Sequence, residues 1–386
     1  MLPPRRRRFA AYTVLVGAAL VLACVIAEIV LTVAPIPGIT YHTFYYDDVT
    51  GQRFYPHTTM IYRNERGDHV RRRVNDWGYL DADHGLFKMA GAIRIGFFGD
   101  SFTEARQVPL AQTFHGRLEA ELNRPTASSQ YECIAISMMG YGTLQSWLEC
   151  RRWMETLDLD HVVYVFCEND PGNNVPALNF SDDVPYPVLV GDSLAIDRSF
   201  AERNAHKARW KHRTWQYLKS NSLLFSTIET RVRFLQSRGI DLRVDEAERH
   251  MAAPAGRNAP IAAISPPSTW PDSLRDHAAL LTERVIVEWK REVEASGRTF
   301  VIAYVPRTAA VKTPQLPADD WHAWLRDVCA RNQVSMIDPT ERLVALQASG
   351  RDVFFDHFTD AGHEAFAAEL LAWFREGLAP TQSAHP

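Results

Sequence analysis

Residues 93–103, Ile-Arg-Ile-Gly-Phe-Phe-Gly-Asp-Ser-Phe-Thr, decide the fold. The first six residues form a short apolar run of the kind that makes a buried strand, and Gly99 opens a turn directly after it. Residues 113–122 then carry apolar side chains at helical spacing. This unit predicts the first strand, turn and helix of an α/β domain, with Ser101 at the carboxyl end of the strand. The short motif alone also fits a serine that only caps a helix.

The same alternation of strand and helix continues along the chain. Further strands are predicted over residues 131–137, 161–167, 299–305 and 334–337, and further helices over residues 144–157, 276–296, 321–332 and 362–376. Alternation of this kind implies parallel strands joined by right-handed crossovers. We therefore expect a three-layer α/β sandwich with a central parallel sheet over residues 92–386.

One region interrupts the pattern. Residues 178–275 are predicted to be a helical insertion, because residues 199–239 look helical and carry basic side chains around Trp210 and Trp215. Residues 252–271 are rich in proline and predict an exposed loop. The basic helix is either solvated or faces anionic head groups or an anionic polymer.

The amino-terminal segment has the length and composition of a membrane-spanning helix. Residues 9–27 contain no charged side chain, and after Glu28 the apolar run resumes to Ala34. About 20 apolar residues cross a bilayer as a helix. The basic run Arg5–Arg8 precedes the apolar segment, and such a run favours the cytoplasmic side.

The sequence therefore predicts a single-pass protein of the inner, cytoplasmic membrane. Residues 1–8 would be the cytoplasmic tail, residues 9–34 a retained signal anchor, and the remaining chain would lie on the periplasmic or extracellular side. A cleaved signal peptide, or a lipoprotein signal that ends at Cys24, are the alternatives. Residues 35–91 are too short for a core of their own, and we expect them to be a lead-in segment that packs on the main domain.

The overall composition is that of an ordinary globular protein. The chain has 386 residues, of which 46% are hydrophobic and 23% charged, and these values exclude a disordered, collagen-like or disulfide-stapled chain. A formal net charge of -4 gives no reason to expect nucleic acid as a partner. The four cysteines that follow Cys24 could pair in an oxidising compartment, and their spacing fits no metal site.

Four sequence blocks carry groups suited to acyl transfer. Ser101 follows the first strand of the domain, and ligands of open α/β sheets bind outside the carboxyl ends of the strands. Gly140 follows the second strand and can present a backbone N–H to a ligand. Asn169 follows the third strand and can donate to an oxyanion. His357 precedes the last helix and can return to the sheet edge as a general base.

Ser, Gly, Asn and His in this chain order resemble the SGNH, or GDSL-type, hydrolase superfamily. The resemblance runs from about residue 76 to residue 374, and the insertion matches least. It implies the flavodoxin-like SGNH hydrolase fold, with Ser101 as the nucleophile and His357 as the base. It also implies an oxyanion hole made of the Ser101 N–H, the Gly140 N–H and the Asn169 side chain.

Two further segments resemble the membrane-anchored members of the superfamily. They are residues 73–78, Arg-Val-Asn-Asp-Trp-Gly, and residues 166–174, Phe-Cys-Glu-Asn-Asp-Pro-Gly-Asn-Asn. The resemblance therefore includes part of the lead-in segment as well as the predicted α/β domain.

The third member of the catalytic triad departs from the family pattern. The family usually has an aspartate three residues before the catalytic histidine, and here that position is Phe354. Asp352 or Asp356 can serve through an altered loop, or a backbone carbonyl orients His357 and the site is a Ser-His dyad.

A rival pair has the usual spacing of the family. Asp360 precedes His363 by three residues. Gly362, however, marks the start of the last helix and would place His363 in its first turn. We therefore prefer His357 as the base.

These features predict a membrane-anchored, extracytoplasmic serine hydrolase that forms an acyl-Ser101 intermediate. Water would resolve the intermediate in an esterase, and a sugar hydroxyl would do so in an O-acyltransferase. Resemblance and compartment suggest acylated envelope or exported glycans, or lipids, as substrates. The altered aspartate leaves open a non-catalytic SGNH-fold module that binds or scaffolds an envelope polysaccharide system. No cofactor, metal or nucleic acid is expected.

Overall fold

The computed structural model describes residues 4–36, 44–64, 66–124, 130–179, 181, 183–232, 270–313 and 320–378. The strands in chain order are β1 Phe44–Asp47, β2 Gly51–Phe54, β3 Thr59–Arg63, β4 His69–Arg73, β5 Ile93–Gly99, β6 Tyr131–Ser137, β7 His161–Phe166, β8 Tyr186–Val190, β9 Ser193–Asp197, β10 Thr299–Tyr304 and β11 Ser335–Ile337. The helices begin with α1 Pro4–Val33, α2 Ser101–Glu104, α3 Phe114–Leu122, α4 Thr143–Trp153, α5 Asp170–Asn173, α6 Pro176–Asn179, α7 Ser199–Arg203 and α8 Trp210–Asn221. They continue with α9, residues 223–232, and then α10 Asp272–Ala295, α11 Thr308–Lys312, α12 Asp320–Arg331, α13 Thr340–Ala348 and α14 Asp360–Leu378.

The centre of the fold is a five-stranded parallel sheet in the order β6-β5-β7-β10-β11. Parallel neighbours need crossover connections, and α3 and α4 supply the first two. If the sheet strands are counted as they occur in the chain, the order is 2-1-3-4-5, the order of flavodoxin-like folds. The predicted central parallel sheet is confirmed.

Helices cover both faces of this sheet. Adjacent strand residues point to opposite faces: the ring of Phe97 packs 5.4 Å from Phe114 on α3, and the ring of Phe98 packs 6.0 Å from Trp289 on α10. Helices α4, α10 and α12 contribute to the core on the Phe98 side, and α3, α13 and α14 to the core on the Phe97 side. The three-layer sandwich predicted from the sequence is therefore present.

The insertion contains helices, as predicted, and also a pair of strands that the sequence did not predict. It contains the antiparallel hairpin of β8 and β9, whose two-residue turn starts at Gly191 with φ of 61°. A glycine at the first central position is what a tight hairpin turn of this kind requires. The predicted helix over residues 199–239 is divided into α7, a 3₁₀ turn, α8 and α9, and residues 233–239 lie outside the described residues. The predicted loop over residues 252–271 lies outside them too, apart from its last two residues.

The lead-in segment packs against the turn that follows β6. Its strands form two hairpins, β1 with β2 and β3 with β4. Phe54, Met60 and Val74 form one buried cluster with Met138 and Tyr141. The lead-in therefore contacts the carboxyl end of the sheet, where the functional groups were predicted.

The five cysteines are all unpaired. Cys24 is exposed on α1, and the other four are buried. The disulfide pairs that an oxidising compartment would permit are not formed.

Candidate active site

The structure brings Ser101 and His357 together. Ser101 begins α2 directly after β5, and the Asp100 carboxylate caps this helix by accepting from the Phe102 N–H at 2.9 Å. His357 lies in the loop between α13 and α14, and its Nε2 is 2.8 Å from Ser101 Oγ. This is a normal hydrogen-bond distance. The imidazole is placed to take the hydroxyl proton.

Close backbone packing sets the turn before Ser101. A Cβ at Gly99 would lie 2.9 Å from the carbonyl oxygen of Val165 on the neighbouring strand β7 and would also collide with the Thr103 hydroxyl. Glycine therefore lets the turn press against the carboxyl end of the sheet.

Aromatic packing fixes the loop that carries His357. The Phe102 ring lies 4.9 Å from the imidazole, and the Phe355 N–H donates to the His357 carbonyl at 3.0 Å. Phe354 is fully buried and packs on Phe102 and Phe358. The position of the usual family aspartate is thus a core position in this chain, which explains why an apolar residue stands there.

Of the two predicted acidic residues, the structure brings only Asp356 to His357. Asp356 Oδ2 lies 3.6 Å from His357 Nδ1, and the Asp356 side chain is 82% exposed. Asp352 accepts instead from Gln347 at 3.3 Å, and its backbone carbonyl accepts from the Thr359 hydroxyl at 2.6 Å. A separation of 3.6 Å permits an ion pair but exceeds a hydrogen bond. Asp352 shapes the loop.

The rival pair lies apart from Ser101. His363 is 1% exposed and packs against Phe114 and Phe358. Burial, with the nearby His115 and Arg72 adding to it, lowers the pKa of His363 well below its usual range, because an interior site disfavours the charged form. Its predicted partner Asp360 pairs with Arg117. The structure therefore places His357, and not His363, beside Ser101, and the assignment of the base stays a prediction.

Gly140 lies in a tight turn at the mouth of the site. The Tyr141 N–H donates to the Met138 carbonyl at 3.1 Å, and Gly140 has φ of 78°, a conformation that favours glycine at this turn position. The backbone there can come close to a ligand.

Two side chains outside the sequence motifs hold the two peptide groups that flank the Met139 α-carbon, and the second of these peptides carries the Gly140 N–H. Glu104 Oε2 accepts from the Met139 N–H at 2.6 Å, and Gln52 Nε2 on β2 donates to the Met139 carbonyl at 3.2 Å. In a trans peptide the N–H points opposite to the C=O. Because Gln52 holds the carbonyl of the 139–140 peptide, the N–H of Gly140 is directed to the other side.

Glu104 lies next to a sequence motif, and Gln52 does not. Glu104 comes three residues after Ser101, so the short helix α2 brings its carboxylate under the turn. Burial raises the pKa of Glu104, and the Arg106 guanidinium opposes that shift. Gln52 lies far from every motif, and no sequence signal marked it.

Asn169 is held by a buried acid at the base of the site. Its Nδ2 donates to Asp100 Oδ2 at 3.3 Å, and the Cys167 thiol donates to the same oxygen at 2.9 Å. An amide nitrogen carries two hydrogens. One therefore holds Asp100, and the second is available to a substrate oxygen.

Asp100, Cys167 and Asp170 form the one group within the described residues whose donor atoms are arranged as metal ligands would be, all within 4.8 Å of one another. Burial, reinforced by the Asp100 carboxylate, raises the pKa values of both the Cys167 thiol and the Asp170 carboxyl well above their usual ranges. Both groups therefore favour their protonated forms. Tyr164 donates to Asp170 at 2.7 Å, so hydrogen bonds already hold this cluster. The absence of a metal from the reaction stays a prediction.

Two cavities meet at Gly140. The catalytic cavity measures about 690 Å³, and its walls include Ser101, Asn169, His357, Arg307 and Lys312. The second cavity measures about 500 Å³ and lies between the lead-in segment and α8. Gly140 lines both. A substrate bound across Ser101 therefore has room on both sides of the proposed oxyanion donor.

No protein-family model and no curated protein matches this chain. Among similar solved structures, an acetyl xylan esterase is 12% identical, covering 73% of this chain and 99% of its own, at a TM-score of 0.38. A lipase/acylhydrolase from Enterococcus faecalis is 14% identical, covering 75% of this chain and 100% of its own, at a TM-score of 0.36. A member of the lipolytic G-D-S-L family from Veillonella parvula is 12% identical, covering 73% and 98%, at a TM-score of 0.38.

The sheet order and the position of the four blocks are the observations that decide the fold. Ser101, Gly140 and Asn169 follow β5, β6 and β7, and His357 precedes α14. This chain has the flavodoxin-like three-layer α/β fold that the sequence resemblance implies. The roles of the four residues belong to the proposal below.

Proposed function

We propose that this chain is a membrane-anchored serine esterase. The observation that carries the proposal is the contact of 2.8 Å between Ser101 Oγ and His357 Nε2 at the carboxyl end of the parallel sheet. A hydroxyl and an imidazole at this distance, beside a cavity of about 690 Å³, are what an activated serine nucleophile needs.

The reaction would start with transfer of the Ser101 hydroxyl proton to His357 Nε2 as Oγ attacks the ester carbonyl carbon. The Ser101 N–H, the Gly140 N–H and Asn169 Nδ2 would hold the oxyanion, each such donor being worth about 3 kcal/mol. Collapse breaks the bond to the alcohol oxygen, which takes the proton from His357. Water, or an acceptor hydroxyl, then attacks the acyl-Ser101 carbonyl with His357 again as the base.

The amino-terminal helix supports anchoring to the inner membrane. Residues Ala11–Val33 of α1 have a mean hydropathy of 2.8 and are long and apolar enough to cross a bilayer. Together with the basic run Arg5–Arg8, this helix favours a cytoplasmic amino terminus and a catalytic domain on the periplasmic or extracellular side.

The substrates that fit this placement are acyl esters of envelope or exported glycans, or of lipids. The second cavity supports an ester whose alcohol part is large, because it opens on the other side of Gly140 from the catalytic cavity. The products distinguish the two acceptors. Transfer of the acyl group to water gives the free acid, and transfer to a sugar hydroxyl gives a new ester.

The proposal is tested by labelling with a fluorophosphonate. The full chain in detergent or liposomes is expected to form a covalent adduct, and digestion with mass spectrometry is expected to find the phosphonyl group on the peptide that contains Ser101. Aryl acetates are expected to be hydrolysed at a rate that the label abolishes. Folded protein that neither labels nor cleaves aryl acetates would instead be a non-catalytic binding or scaffold module.

Gln52 offers a separate test of the oxyanion hole. Gln52→Ala is expected to lower kcat for an aryl acetate about fivefold and to leave KM nearly unchanged, since one hydrogen bond that orients the 139–140 peptide is worth about 1 kcal/mol. The rate of fluorophosphonate labelling should fall with kcat.

The matched control is Gln216→Ala. Gln216 lines the same second cavity as Gln52, but its Oε1 accepts from the Tyr46 N–H at 3.5 Å, and among the described residues its side chain makes no hydrogen bond to the turn. Equal losses of kcat in the two variants at unchanged thermal stability would refute a positioning role for Gln52.

A further inference from the structure

Helices α8 and α9 present apolar side chains to the outside. On α8, Trp210 is 72% exposed and Leu218 is 44% exposed; on α9, Ile228 is 54% exposed and Val232 47% exposed. Contiguous exposed apolar patches mark interaction surfaces, and these two helices, which follow each other in the chain, both expose apolar side chains. We call this set of four residues the insertion face.

Basic side chains lie beside the apolar ones. Arg209, Lys211 and Arg213 are exposed on and just before α8, and Arg231 is exposed on α9. The Arg213 backbone carbonyl accepts from the Tyr55 hydroxyl, a bond that does not use the guanidinium group. Within the described residues, no carboxylate lies at salt-bridge distance from these four side chains. The partner of this face is therefore expected to be anionic as well as apolar.

The anchor helix is bonded directly to α9. The Glu28 carboxylate accepts from the Ser222 hydroxyl at 2.8 Å and from the backbone N–H groups of Leu223 and Leu224 at 2.6 and 3.1 Å. N–H groups in the first turn of a helix have no partner within that helix, so the Glu28 carboxylate of α1 caps α9. Arg71 of β4 also donates to the Thr32 carbonyl of α1.

The contact with Glu28 fixes the position of the start of α9 along the axis of the anchor helix α1. The uncharged residues 9–27 rise about 28 Å as a helix, close to the ~30 Å of a bilayer hydrocarbon core. Glu28 comes next and would lie at the outer boundary of the core. The start of α9, which Glu28 holds, lies at the same level.

We propose that α8 and α9 rest on the outer leaflet of the same membrane. Trp210, Leu218 and Ile228 would enter the interface, and Lys211 and Arg213 would contact the anionic head groups of phospholipids. Tryptophan and basic side chains are enriched at this depth, and each basic residue near an anionic surface contributes about 1 kcal/mol.

This docking rests on the proposed anchoring and adds an orientation to it. Trp215 and Lys219 of α8 line the second cavity, which adjoins the catalytic cavity at Gly140. With α8 on the membrane, that cavity lies at the level of the head groups, and a substrate carried by a lipid reaches Ser101 without leaving the membrane surface.

The experiment compares environment-sensitive labels at matched positions in the full chain. Ile228→Cys and Phe87→Cys are made separately with Cys24 replaced by alanine, since the other cysteines are buried. Phe87 is an apolar side chain that is 94% exposed in the loop before β5. In liposomes with anionic lipid, a label at residue 228 is expected to be quenched about twofold or more by lipids with a shallow nitroxide, and a label at residue 87 is expected to remain unquenched.

Further measurements distinguish the anchoring of the chain by α1 from the docking of α8 and α9 on the membrane. A label on the native Cys24 reports the span: if it is not quenched by deep nitroxide lipids, the anchor proposal fails. Quenching at Cys24 with equal, low quenching at residues 228 and 87 overturns the docking alone. Lys211→Glu with Arg213→Glu should weaken quenching at residue 228 in anionic but not in neutral liposomes. Protection of residue 228 only on addition of a soluble anionic polysaccharide would assign the face to a polymer and overturn the proposal.

Discussion

Ser101→Ala is expected to abolish fluorophosphonate labelling and to lower kcat/KM for aryl acetates by at least about 10⁴-fold, because the acyl-enzyme cannot form without Oγ. The side chain of Ser101 makes two polar contacts, with His357 and, at 3.5 Å, with Asp100. Neither contact holds the sheet together, so the variant should keep the thermal stability of the wild type within a few degrees. Rates are measured on purified full chain with a stopped assay.

A matched control is Ser146→Ala. Ser146 is buried on α4, a helix that starts after the Gly140 turn, and it lies outside the catalytic cavity. This variant should label and hydrolyse as the wild type does. Residual hydrolysis in Ser101→Ala that survives repurification, and that the probe inhibits, would mean that a different nucleophile does the chemistry.

The sheet was predictable from the sequence because its strands are buried on both faces. A continuous apolar run such as residues 161–167 differs from the spaced apolar pattern of an amphipathic helix and predicts a strand. The structure has β7 at His161–Phe166. The β8–β9 hairpin was missed although Gly191 and Asp192 form a turn signal between alternating residues. Its strands are short and half-exposed, so little apolar periodicity marked them.

The candidate site was predictable in part. Ser101, Gly140, Asn169 and His357 each follow a strand or precede the last helix, and parallel strands bring such residues to one edge. The orientation of the Gly140 peptide was not predictable, because it depends on Gln52, which reaches the turn through tertiary packing of the lead-in. Burial of Phe354 in the core likewise depends on its contacts with Phe102 and Phe358, which spacing alone does not reveal.

His357→Ala is expected to lower kcat/KM by about 10⁴-fold, close to the loss in Ser101→Ala, since a serine without its base is a poor nucleophile. Added imidazole should restore part of the activity of this variant, because the vacated space faces the open catalytic cavity. Imidazole should have no effect on Ser101→Ala. The measurement is the initial rate with aryl acetate across a series of imidazole concentrations.

His363→Gln is the matched control for the base. His363 lies in the core between Phe114 and Phe358, so its replacement should lower thermal stability and leave the labelling rate per folded molecule unchanged. Asp356 contacts His357 only at 3.6 Å from an exposed position, and its charge is therefore a minor part of the effect. Activity that survives His357→Ala but disappears in folded His363→Gln would transfer the role of base to His363 and require the loop before α14 to rearrange.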